Sequence, residues 1–251
     1  MGRPVLATFA LVCVAAGAAA FAPTTAVGRV QLDRPATGGW SQVRPRPRPQ
    51  GHVIAQVRPG RTLALRGRPF GPVLGRVGAT TPFGSRRTFG VVGTRHGRWL
   101  AVTEASVGGN RVVWVDARAG GLRYVRTQLA LVVDLSSRTL TVLRGNVVRQ
   151  RFSIGVGRPD SPTPTGRFAV TDKLAGSAYS TAYGCCILAL SATQPNLPAG
   201  WTGGNRIAIH GTLHAGDFGR AVSAGCVHAS DAHLHYLMRT VPPGTPVVIR
   251  P

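Results

Sequence analysis

Apolar residues recur two apart in short runs along most of the chain, the spacing of strands that bury one face. Between His52 and Ala119 these runs are Val53-Ile54-Ala55-Gln56-Val57, Thr62-Leu63-Ala64-Leu65, Phe89-Gly90-Val91-Val92, Trp99-Leu100-Ala101-Val102 and Val112-Val113-Trp114-Val115. Glycine and proline turns separate them. The pattern predicts a small β domain of SH3-like type over residues 52–119. Trp99 and Trp114 could stack on sugar rings, but buried core tryptophans are more common, and no chemistry attaches to this stretch.

A second domain is expected over residues 124–251. Leu129–Leu135 and Thr139–Leu143 read as strands, Arg144-Gly145-Asn146 as the turn after them, and Val147–Val156 as the returning strand. Pro162-Thr163-Pro164-Thr165-Gly166 is a stiff, hydroxyl-bearing loop before Arg167–Thr171. Tyr183–Leu190 follows, then a Pro/Gly-rich loop through Gly204 that suits one wall of a cleft. Arg206-Ile207-Ala208-Ile209 alternates again and stops at His210-Gly211-Thr212. Over Asp231–Arg239 the spacing changes: Leu234, Leu237 and Met238 stand three and four apart, predicting one short helix capped by Ser230. Pro242-Pro243-Gly244 ends it and Val247-Val248-Ile249 closes the sheet. The whole is mainly β.

The first 50 residues lack this alternation. Val5–Ala22 is an alanine-rich apolar run behind Arg3, the layout of a secretory signal with small residues for cleavage near Ala20 or Ala22. Residues 1–26 are therefore expected to be a removed signal peptide or a retained N-terminal anchor. Residues 27–51 form an Arg/Pro-rich linker; Arg44-Pro45-Arg46-Pro47-Arg48-Pro49 should be extended because proline fixes φ and like charges repel.

Charge narrows the choice of partner. The formal net charge is +22, almost all of it arginine, since Lys173 is the one lysine. Such a balance favours a polyanion. The arginines are scattered, with no basic helix and no zinc-finger spacing, so a specific nucleic-acid partner is not expected. An exported chain meets anionic cell-wall polymers instead. Cysteine count bears on the same point. Once Cys13 is assigned to the leader, Cys185, Cys186 and Cys226 remain, an odd number that calls for one free thiol. Cys185 and Cys186 are neighbours, either joined in a strained bridge or packed as two small thiols.

The free thiol is best placed at Cys226, in Ser223-Ala224-Gly225-Cys226-Val227. His210 lies sixteen residues earlier, far enough for a loop to bring the chain back to the strand end. A thiol beside an imidazole becomes a thiolate–imidazolium pair able to attack a carbonyl. The amides of Gly225 and Cys226 are candidates for an oxyanion hole.

His210-Gly211-Thr212, the Ser223–Val227 segment, the Pro162–Phe168 stretch and Tyr183-Gly184-Cys185-Cys186 together resemble the catalytic domain of the L,D-transpeptidases (YkuD-type). The resemblance covers roughly Leu129 to Arg250. It implies a β-sandwich catalytic domain that crosslinks peptidoglycan stem peptides at their third residues through a thioester on Cys226. It implies His210 as base and the Gly211 carbonyl as the group that orients its ring. Thr212, Ser223, His228 and Tyr183 are the expected substrate contacts, and carbapenem-type inhibitors become possible ligands. No cofactor and no metal are expected. His214, His233 and His235 offer no CxxC or HExxH spacing with the other histidines and Cys226.

One departure stands out. The family usually carries arginine two residues after the cysteine, and this chain has His228, which cannot present arginine's planar fork. Alternatives to the crosslinking reading are an L,D-carboxypeptidase on the same stems and a non-catalytic wall-binding protein.

Overall fold

The computed structural model describes residues 51–107, 109–197, 199–201 and 204–251. The expected leader and nearly all of the linker lie outside them. The first region holds seven strands: β1 (His52–Val57), β2 (Leu63–Arg66), β3 (Val73–Val77), β4 (Thr88–Arg95), β5 (Trp99–Thr103), β6 (Val112–Asp116) and β7 (Leu122–Thr127). They form one sheet in the order β3-β2-β6-β5-β4-β1-β7. Every pairing in it is antiparallel. All seven strands feed one core that includes Ala55, Leu65, Phe89, Val102 and Val115. Trp99 is 2% exposed and belongs to the interior.

Two strands escaped the alternation. In β3 the run Val-Leu-Gly-Arg-Val is broken by Gly75 and by exposed Val73 and Leu74, so only Val77 is buried. In β7, Tyr124 pairs with Ala55 of β1. Tyr124 was the expected start of the second domain; it sits instead inside the first sheet, and the second begins at Leu129.

The second region contains β8 (Leu129–Asp134), β9 (Thr139–Arg144), β10 (Val147–Ser153), β11 (Val156–Gly157), β12 (Gly166–Ala175), β13 (Cys186–Thr193), β14 (Arg206–His210), β15 (Ala221–Ser223), β16 (Val227–His228), α1 (Asp231–Thr240) and β17 (Pro246–Arg250). Hydrogen bonding runs through eight of these strands in the order β10-β9-β8-β17-β12-β13-β14-β16, while β11 and β15 make a separate pair. The ten-residue β12 carries the sheet from one half to the other. Its first residues pair with β17 and its later ones with β13, across a register shift between Val170 and Asp172. Both halves line one core with Leu131, Leu140, Phe168, Leu188 and Ile209. Contrary to the expectation that it closes the sheet, β17 lies inside it, parallel to β8.

α1 is the one α-helix among the described residues. The Ser230 hydroxyl accepts the His233 N–H at 3.4 Å, as the sequence predicted, and Leu234 and Leu237 are fully buried. Each leucine contributes about 2 kcal/mol by leaving water. The helix start is thereby fixed just after the segment that carries Cys226.

Side chains fasten the two sheets together. Asn110 donates to the Thr193 carbonyl and accepts the Thr193 N–H, both at 2.7 Å. Thr103 Oγ1 and Ser191 Oγ share a hydrogen bond of 2.6 Å. Gly90 lies against Ala169 and the Gly244 carbonyl, a fit that a β-carbon would spoil.

Candidate active site

The site is built on a parallel pair of strands. β14 ends in His210, and β16 runs alongside it so that Ile209 is opposite Val227 and His210 opposite His228. Parallel neighbours cannot be joined by a tight turn, so residues 211–226 must leave the sheet and return. That excursion places Cys226 one residue before β16, level with the strand that ends in His210.

Two contacts hold His210. Its Nδ1–H donates to the Gly211 carbonyl at 2.6 Å, which leaves Nε2 as the basic nitrogen of the neutral ring. The Tyr183 ring meets the imidazole edge-on, with centroids 4.7 Å apart. Gly211 is itself anchored, its N–H donating to the Tyr183 carbonyl at 2.8 Å. A β-carbon at Gly211 would run into Gly184 and Asp231, so glycine is what lets this turn close behind the histidine.

Cys226 is half-buried and free of any disulfide. Among the described residues its thiol donates to the Arg206 carbonyl at 3.9 Å and not to His210. Burial pushes the thiol up to about 11. Burial also depresses His210, helped by the neighbouring His228, to about 4, against a smaller opposing effect of the Gly211 bond. In the free protein both groups are therefore neutral at pH 7, not the preformed ion pair anticipated from the sequence. The physical reason is that desolvation penalises both charged forms while no direct hydrogen bond repays it.

The oxyanion-hole expectation needs revision. The Gly225 N–H already donates to Ser223 Oγ at 3.0 Å, and that hydroxyl donates to the Cys226 carbonyl at 2.6 Å. Of the two amides named, only that of Cys226 is left for the role. Ser223, expected to touch substrate, lines the cavity but is 5% exposed and uses its hydroxyl in shaping the loop. Thr212, expected to do the same, donates to Asp217 Oδ2 at 2.6 Å and accepts the His214 N–H at 3.1 Å.

His228 has a partner that the sequence did not reveal. Its Nδ1 lies 2.8 Å from Asp217 Oδ2, and its ring centroid is 4.9 Å from that of His210. Asp217 is thus tied to His228, while His210 is held by backbone. Burial works to raise the Asp217 carboxyl, but the bonds from Thr212 and His228 outweigh it and hold the group below its ordinary value. An Asp–His pair stands where the resemblance led one to expect arginine.

Behind the nucleophile segment lies a second support missed in the sequence, Gln194. It is 3% exposed, and its Nε2 donates to the carbonyls of Pro162 and Ala224 at 3.0 and 3.1 Å. Ser161 Oγ is within 2.9 Å of the same Ala224 carbonyl. These bonds tie the Pro162–Gly166 loop to the Cys226 loop. Gly225 has φ +118°, and a β-carbon there would strike Gln194 Nε2.

Cys226, His210, His228, Tyr183 and Thr212 all open onto one cavity of about 610 Å³. Phe83, from the turn between β3 and β4, opens onto it too, as do Tyr179 and Trp201. Cys185 and Cys186 are joined by a disulfide. The two sulfurs and a ring nitrogen of His235 lie within 4.8 Å of one another. Bonded to each other, the sulfurs do not present a thiolate pair to a metal. His233 stacks on Phe152 with centroids 4.0 Å apart, away from that cluster.

The family model described as YkuD, L,D-transpeptidase catalytic domain, matches residues 128–249. YqjB of Bacillus subtilis (strain 168), provisionally named an L,D-transpeptidase, is 31% identical over 128 residues, covering 47% of this chain and 69% of that protein. YkuD of the same strain, named in the same way, is 29% identical over 119 residues, covering 47% of this chain and 64% of its own length. Among solved structures, the L,D-transpeptidase from Mycobacterium smegmatis is similar at 17% identity with a TM-score of 0.42, covering 64% of this chain and 81% of that one.

Proposed function

The chain belongs to the YkuD family of L,D-transpeptidase catalytic domains, and from that membership we propose that it is a cysteine-dependent transpeptidase acting on peptidoglycan stem peptides. The observation that carries the reading is the free thiol of Cys226 opening onto the same cavity as His210, whose Nδ1 is fixed by the Gly211 carbonyl.

An amide carbonyl is a weak electrophile, so the thiol must lose its proton as it attacks. His210 Nε2 takes that proton when the acyl donor has displaced water and brought the groups together. Sulfur bonds to the carbonyl carbon of the third stem residue, and the Cys226 amide N–H donates to the developing oxyanion. The bond to the terminal D-alanine then breaks, and its nitrogen leaves with the proton held by His210. A thioester remains. The amine of a second stem attacks it, passes its proton to His210 and releases the thiol, leaving a crosslink between third residues. Water in place of the amine would give the carboxypeptidase outcome.

Buried neutral partners suit this order of events. A thiol that ionises only near pH 11 in the free protein stays unreactive until a base and a substrate are in place. His228, its Nδ1 taken up by Asp217, brings an imidazole to the cavity as a polar contact for a stem peptide. The Val5–Ala22 apolar run supports a site of action outside the cytoplasmic membrane, and the charge of +22 supports contact with anionic wall polymers there.

The test is intact-mass analysis after adding a carbapenem or a tetrapeptide donor. The expected result is one covalent adduct, mapped to Cys226 and absent from Cys226→Ala. An adduct that persists in that variant, or wild-type protein that forms none and releases no D-alanine, would overturn the reading.

A further inference from the structure

The cavity has a wall supplied by the other sheet. Thr80 and Arg86 form an isolated antiparallel bridge ahead of β4, and the chain between them turns tightly. Gly84 N–H donates to the Thr81 carbonyl at 3.1 Å and Thr81 N–H to the Ser85 carbonyl at 2.8 Å. Phe83 stands at the tip of this hairpin. Two anchors fix the tip. Thr81 Oγ1 accepts the Phe83 N–H at 3.2 Å and donates to buried Asp172 of β12. Arg87, 7% exposed, closes the base through Gly78 and Thr80 carbonyls and a 3.0 Å pair with Glu104.

Phe83 is half-buried and lies against the second sheet's own groove residues. Its ring meets Tyr179 edge-on with centroids 6.3 Å apart, and the Arg206 guanidinium lies 5.7 Å above it. Arg206 is committed elsewhere as well, donating to Thr171 Oγ1 at 3.3 Å and to the Leu190 carbonyl at 3.1 Å. It is also the residue whose carbonyl takes the Cys226 thiol. The acid of the groove, Asp217, is bonded to Thr212 and His228. On the Phe83 side the groove therefore offers ring and hydrocarbon surface, beside a guanidinium whose NH1 is already engaged. A ring surface of this kind favours an uncharged, apolar stretch of the ligand.

We propose that Phe83 is a specificity-determining residue of the transpeptidase site, through which the small β domain grips an uncharged, non-reacting part of the acyl donor. The role rests on the transpeptidase reading and deepens it. The small domain is then part of the enzyme's groove and not a separate module. Contact with a non-reacting part of the donor is made in ground state and transition state alike, so its loss falls on KM.

The experiment uses the full chain and compares wild type with Phe83→Ala, Phe83→Leu and Phe83→Tyr. D-alanine release from a tetrapeptide donor gives kcat and KM, and iodoacetamide alkylation reports the thiol with a probe too small to fill the groove. Phe83→Ala should raise KM about tenfold, leave kcat within about twofold and leave the alkylation rate unchanged, with Phe83→Tyr restoring KM. A KM within about twofold of wild type in both Phe83→Ala and Phe83→Leu would overturn the proposal while leaving the enzyme reading intact. A fall in alkylation rate or thermal midpoint together with kcat would mark a structural role and overturn it too. Wild-type protein without turnover removes the premise, and the role of Phe83 with it.

Discussion

The two sheets use the same alternation of buried and exposed residues and end up with different capacities. In the first every pairing is antiparallel, connections are short, and nothing in it carries bond-making chemistry. In the second, β8 with β17 and β14 with β16 run parallel. A parallel pair obliges the chain to make a long excursion between its members, and in the second case that excursion holds His210 at its start and Cys226 at its end. Chemistry sits where the topology forces backbone out of the sheet. The first sheet takes part only by reaching across with one hairpin.

The sharpest way to break this contrast is at the sulfur. Cys226→Ala should lower D-alanine release at least about a thousandfold while leaving the thermal midpoint unchanged, measured by muropeptide chromatography and calorimetry. Retained turnover would move the chemistry elsewhere.

Acid should expose the cost of burying His210. Its folded value near 4 is below the unfolded value of 6.5, so the unfolded chain binds more protons between them. Stability should accordingly rise from pH 4 to pH 6.5, by on the order of 3 kcal/mol from this residue, and the slope should flatten in His210→Gln. Denaturant unfolding across that range is the measurement. The thiol has the opposite sign: with its folded value near 11, stability should fall as pH rises from about 9, where the unfolded thiol ionises. Iodoacetamide reactivity should likewise climb toward pH 11, with no plateau on the acid side of the kind a preformed thiolate gives.

A smaller loss should follow a change behind the nucleophile. Gly225→Ala places a β-carbon against Gln194 Nε2 at a φ of +118°, so the loop must shift. About a hundredfold loss of acylation is expected, with Gln194→Glu giving a similar direction because it removes donors to Pro162 and Ala224. The least effect belongs to the seam between sheets. Asn110→Ala should cost about 1–2 kcal/mol of stability by orphaning both bonds to Thr193. It should leave alkylation of Cys226 unaltered.

How much of this could be read from the sequence follows from how far each cause reaches along the chain. β14, α1 and the Ser230 cap were legible because alternation, helical spacing and capping are local. The position of His210 beside Gly211 was legible because one motif contains both. The Asp217–His228 pair was not, since the two meet only once β16 has paired with β14. That the Ser223 hydroxyl shapes the nucleophile loop was not legible, because a hydroxyl near a nucleophile is ambiguous until its acceptor is known, and here that acceptor is the Cys226 carbonyl. Gln194 and Phe83 gave no signal at all. One acts through carbonyls 30 and 32 residues away, and the other reaches the cavity from a turn between β3 and β4. Tyr124 was misassigned because β7 and β8 follow one another almost without a break, and only the pairing with β1 separates them.

The bridge between Cys185 and Cys186 has a practical consequence for the chemistry in front of it. With those sulfurs spent on each other, Cys226 is the one titratable sulfhydryl among the described residues. Once Cys13 has been replaced, a maleimide or disulfide-exchange dye therefore counts occupied and vacant nucleophiles directly, turning a colour change into an active-site titration.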